Sequence, residues 1–67
     1  MTLSQHKWAI ITKERPTFFL TERGELSESF DDAELLYHKE ADDRIKVLDE
    51  PQKFTKVKVT FSVEVYT

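Results

Sequence analysis

From Lys56 to Tyr66 the chain alternates without a break. Val57, Val59, Phe61, Val63 and Val65 occupy the odd positions; Lys56, Lys58, Thr60, Ser62, Glu64 and Tyr66 occupy the even ones. A period of two puts each set on its own face of a pleated strand. The pattern predicts one long strand, from Phe54 to Tyr66, with a dry odd face that needs cover. One amphipathic helix lying across the sheet supplies it.

The rest of the chain supplies partners for that strand. Trp8-Ala9-Ile10-Ile11-Thr12-Lys13 is rich in aromatic and β-branched residues and reads as a first strand. Glu14-Arg15-Pro16 signals a turn, because proline cannot donate to a ladder and holds the residue before it extended. Thr17-Phe18-Phe19-Leu20-Thr21 is the second strand, in a hairpin with the first. Gly24, the only glycine, marks a second turn at a positive φ. Glu25 to Ser29 forms a short third strand.

A helix start is written around Asp31. With Asp31 as N-cap, Glu34 falls at N3 of a capping box, and Phe30 and Leu35 form a hydrophobic staple. Ala33, Leu36, Tyr37, Ala41, Ile45 and Leu48 then recur at spacings of three and four. Glu40–Arg44 and Asp42–Lys46 are i,i+4 pairs of favourable polarity. Pro51 closes the helix at the latest. Residues 44–48 also alternate, so the segment is either the helix end, which the unbroken apolar spacing favours, or an extra strand after a helix that stops near Asp43.

These elements define an α+β fold over residues 1–67. It is an antiparallel sheet of three to four strands with one helix packed on one face, in ββ(β)αβ order. The expected core is Trp8, Ile10, Phe18, Leu20, Leu36, Tyr37, Ala41, Ile45, Val57, Val59, Phe61 and Val63. The inward face of the first two strands stays open, since Ile11 and Phe19 compete with Ile10 and Phe18.

Size narrows the function classes. A chain of 67 residues buries only ~60% of the surface its unfolded form exposes. It has no cysteine, which suits a reducing compartment such as the cytoplasm. No apolar run suggests a signal peptide or membrane span. Glu34, His38 and Asp42, at i, i+4 and i+8, would span ~12 Å of helix, too far for one ion. Asp31-Asp32 and Asp42-Asp43 are paired carboxylates without a cleft to tune them. There is no phosphate-binding glycine loop and no nucleophile motif. The reading is a non-enzyme, with no metal and no cofactor.

Charge is uneven. The net is −3 overall, but −7 over residues 22–50 and +2 on either side. An acidic helix face at Glu40, Asp42 and Asp43 can meet a basic partner. Lys56, Lys58 and Tyr66 on the even face of the last strand can instead bind single-stranded nucleic acid. A strand of ~43 Å exceeds the usual ~5–6 residues. It either bends between two neighbours or leaves an open edge for a homodimer or another protein's strand.

Trp8 and Ile10, Phe18 to Leu20, Gly24, Phe30 to Leu36 and the tail Val57 to Val65 together resemble small accessory proteins of bacteriophages and prophages. That resemblance implies a modulator or inhibitor that binds a host protein; it carries over no site residue. The leading expectation is therefore a protein-binding module acting through the acidic helix or a strand edge. The alternatives are nucleic-acid binding and a structural subunit that assembles by strand addition.

Overall fold

The computed structural model describes residues 2–64. It is an α+β fold with a four-stranded antiparallel sheet and one α-helix. β1 (Thr2–Thr12), β2 (Phe19–Leu20) and β3 (Leu26–Ser27) are followed by the helix α1 (His38–Lys46) and then β4 (Phe54–Glu64). The strand order is β3-β2-β1-β4. Expected strands two and three are present but shorter than their sequence runs. Gly24 takes φ +83 in the turn between them. That turn is tied by Gly24 N–H to the Thr21 carbonyl and Thr21 N–H to the Glu25 carbonyl.

β1 is longer than its sequence pattern, reaching back to Thr2. Its partner explains this: β4 pairs with it from Thr12↔Phe54 to Thr2↔Glu64 without a slip. Over its described length the last strand does not bend between two neighbours, and β1 accompanies it throughout. Every described residue of β4 is paired on its β1 side. Val65 and Tyr66 lie outside the described residues.

The helix begins at His38, not after Asp31. Asp31 and Asp32 belong to a single 3₁₀ turn (Phe30–Asp32) capped by the Ser29 hydroxyl, which accepts the Asp31 N–H. The Asp32 carboxylate accepts the Ser27 hydroxyl at 2.7 Å. The chain then runs extended. Glu34 N–H bonds the Leu20 carbonyl, and Leu36 and Trp8 exchange both backbone bonds, at 2.8 and 2.7 Å. Pairing with β1 overrides the local helix signal here. The capping carboxylate that does act is Glu40, which accepts the Tyr37 N–H at 3.1 Å. The helix stops at Lys46, before Leu48, and residues 44–48 form no extra strand.

The largest correction concerns the faces of the sheet. Four residues are fully buried, Ala9, Ile10, Leu20 and Ala41; the last three form one cluster, with Trp8, Leu36, Ile45, Leu48 and Phe54 packed around them, and Ala9 lies on the other face. Trp8, Ile10, Phe54 and Lys56 are even residues of β1 and β4. The helix therefore lies on the even face, and Lys56 sits beneath it. Val57, Val59 and Phe61, expected in the core, point to the opposite face with Ile11, and all four are half-buried. The side chain of Val63 lies outside the described set. Phe19, in register with Ile11, meets Phe30 edge-on at 5.6 Å between centroids. Tyr37, also expected in the core, is 62% exposed, with the Lys7 ammonium 3.7 Å from its ring centroid. Among the described residues no helix covers this odd face.

The shape is elongated, 48 × 23 × 19 Å. Its radius of gyration is 13.4 Å, against ~11 Å for a compact chain of this length. Its accessible surface is 5228 Å², against ~4,400 Å² expected for a compact protein of this mass.

Candidate protein-binding surface

Two surfaces compete for a functional role. One is the helix face and the cluster beneath it. The other is the β4 side of the sheet.

The Lys56 ammonium is the hub of the first. Its aliphatic stem is covered by the helix, leaving the side chain 20% exposed. Nζ donates to Asp42 Oδ1 at 2.6 Å and to His38 Nε2 at 2.8 Å. Lysine offers no acceptor, so Nε2 carries the lone pair and the imidazole proton sits on Nδ1. That nitrogen faces Asp42 Oδ2 at 3.8 Å. Trp8 packs edge-on against His38, centroids 4.9 Å apart, and its ring lies 5.2 Å from Nζ. A long cationic side chain is tolerated under a helix because its stem is apolar and its head finds a carboxylate.

Asp42 titrates below its ordinary value of 3.8, first because of the hydrogen bond from Lys56; desolvation opposes the shift, and the positive charges of Lys56 and Lys46 add to it. A depressed carboxylate pKa stabilises the fold above the ordinary value. That contribution is lost as pH falls through the lower, folded value. Asp42→Asn should therefore lower the thermal midpoint at neutral pH. The difference from wild type should shrink below pH 3.8, as read by circular dichroism across a pH series.

This geometry gives several of the candidate residues partners within the chain. Asp42 is turned toward the sheet and bonded to Lys56 rather than to Lys46. Glu40 caps the helix. Arg44 Nε bonds Glu34 at 3.3 Å rather than Glu40. Asp43 is exposed on the outer helix surface. Glu34 precedes the helix, so it does not form a ligand stripe with His38 and Asp42. Among the described residues no three histidine, cysteine, aspartate or glutamate side chains converge as a metal site. For nucleic acid, Lys56 is committed beneath the helix, Lys58 is exposed beside it on the even face, and Tyr66 lies outside the described residues. Two grooves, about 450 Å³ along Thr21–Ser27 and about 360 Å³ between Pro16, Phe18, Leu26 and Phe54, are open to solvent.

The β4 side is different in kind. Trp8 bonds Leu36 and Thr12 N–H bonds the Phe18 carbonyl, so even residues of β1 turn their backbone groups away from β4. Lys13, an odd residue, turns toward Lys53. Backbone direction alternates along a strand. Hence Ala9 and Val57 form a hydrogen-bonded pair, and odd residues of β4 spend their N–H and C=O groups on β1. The even residues Lys56, Lys58, Thr60, Ser62 and Glu64 aim theirs outward. With order β3-β2-β1-β4, that edge meets no strand among the described residues. It is eleven residues long, uninterrupted by proline or a bulge, and bordered by the uncovered odd face. Edges of this length are normally shortened, kinked or covered.

The sequence alternation points to this strand, but it cannot show which backbone groups are free. That follows only from the register with β1.

No family model, curated protein or solved structure matches the chain. No helix among the described residues is long and apolar enough to cross a membrane.

Proposed function

We propose that this is a small non-enzymatic protein-binding module that takes an extended protein segment onto the β4 edge by strand addition. The observation that carries the reading is the run of outward backbone donors and acceptors from Lys56 to Glu64, adjoining the apolar odd face. Main-chain bonding supplies affinity in this mode, and alternate side chains supply selectivity. Val57, Val59 and Phe61 suit an incoming strand with apolar residues on the same face. A chain that works this way acts by occupying a partner's surface, which fits a modulator or inhibitor working in a reducing compartment such as the cytoplasm. The resemblance to phage accessory proteins supports the same reading.

Thr60→Pro tests it. The Thr60 N–H points outward, so proline there removes an edge donor and leaves the β1 ladder in place. The expected result is that immobilised wild-type protein retains a protein that the variant does not, from a bacterial lysate or from untagged copies of itself. Equal retention by the folded variant, or no retention by either, contradicts the proposal.

A further inference from the structure

We infer that the segment taken onto the β4 edge is a partner protein's strand that alternates apolar with acidic residues, with one carboxylate opposite Lys58. This rests on the strand-addition reading and names the chemistry of its partner.

Charge is sorted across the sheet. Between Gln5 and Thr12 of β1 and between Phe54 and Phe61 of β4, every charged residue is a lysine: Lys7, Lys56 and Lys58. The exposed acids Glu22, Glu25, Glu28, Asp31 and Asp32 flank β3, at the other end of the strand order. The β4 edge is therefore the basic one over those residues, and its complement is an acidic strand.

The fold then separates lysines that look equivalent in the sequence. Lys56 is held beneath the helix by Asp42 and His38. Lys7 lies on the odd face, over the Tyr37 ring. Thr60, the next even residue, has its hydroxyl against His6 Nδ1 at 3.1 Å. Lys58 is exposed and makes no ion pair among the described residues. Across β1 its neighbour is Trp8, not an acid.

The backbone of Lys58 points outward, so an antiparallel partner residue opposite it exchanges two bonds and sits ~5.5 Å away at Cα. The two side chains share the even face, where opposite charges attract and like charges repel. The partner's flanking residues fall opposite Val57 and Val59 on the odd face, which favours apolar side chains there. One unengaged ammonium is too little for a nucleic-acid backbone, since that affinity grows with the number of phosphates neutralised.

The test uses a labelled, capped nine-residue probe of alternating threonine and valine with glutamate at its centre. Its sequence reads the same in both directions, so it serves either strand polarity. Twin probes carry glutamine or lysine at the centre. By fluorescence anisotropy at low salt, the glutamate probe should bind on the order of tenfold tighter than the lysine probe, with glutamine between them. The gap should narrow as salt rises. Lys58→Glu should reverse the order, and Lys13→Glu, exposed beyond the end of β1, should not. Equal binding of all three probes, lost in Thr60→Pro, keeps strand addition and overturns the acidic preference. Binding of none at millimolar concentration overturns both. A wild-type dimer in light scattering that Thr60→Pro dissociates puts a second copy on the edge and overturns the acidic partner alone.

Discussion

Ile10→Ala is expected to unfold much of this protein at 37 °C. Ile10 is 1% exposed and packs with Leu20 and Ala41 where the helix meets the sheet. Truncating a fully buried isoleucine to alanine costs about 2–5 kcal/mol, from lost transfer energy and the cavity left behind. The whole fold of a chain this size is worth roughly 3–10 kcal/mol. A cost of that size lowers the thermal midpoint by roughly 10–30 °C in a domain of 60–100 residues. Val57→Ala is the matched control. It lies on the odd face, half-buried and outside the helix-covered cluster, and should cost about 1 kcal/mol. Thermal melts of the two variants at equal concentration distinguish the faces. Greater damage from Val57→Ala would place the helix on the odd face of the sheet.

That face is where the sequence misleads. Alternation from Lys56 onward states the period of β4 correctly and says nothing certain about which face is inside. The natural inference buries valines and exposes lysines. Here the lysine stem of Lys56 lies under the helix because Asp42 and His38 meet its head, a pairing between segments fourteen and eighteen residues apart. No local pattern encodes it. The helix start is hidden in the sequence for the same reason. Asp31 and Glu34 carry a sound capping signature, but Leu36 finds a backbone partner in Trp8, and the extended pairing wins. Tyr37, the residue that begins the real helix, is not a usual cap, so Glu40 was the only clue. β1 exceeds its sequence pattern because Ser4, Gln5 and His6 look like a loop until β4 is beside them. By contrast, Gly24, the β1–β2 turn and the antiparallel sheet with one helix were all legible, since each depends on residues adjacent in sequence or on a period of two.

The candidate site was partly legible. The length of the last strand draws attention to its edges; β1 pairs along one of them, and the open edge is the opposite one. The acidic helix residues looked available because their partners, the Tyr37 N–H and the Lys56 ammonium, come from turns and strands the sequence does not visibly connect to them.

Residue-resolved amide exchange along β4 tests the central claim most directly. At high dilution, the N–H groups of Val57 and Val59 should be protected through their bonds to β1, while those of Lys58 and Thr60 should exchange nearly as fast as in an unfolded chain. Amides paired in a stable core exchange only on opening, so the contrast between neighbours should be on the order of a thousandfold. Adding a captured partner should bring Lys58 and Thr60 under protection too, as its strand closes the edge. Even-numbered amides that are protected to the same degree at every dilution, or that stay open at every concentration and with every captured partner, would contradict the assignment of the β4 edge as the surface through which this protein acts.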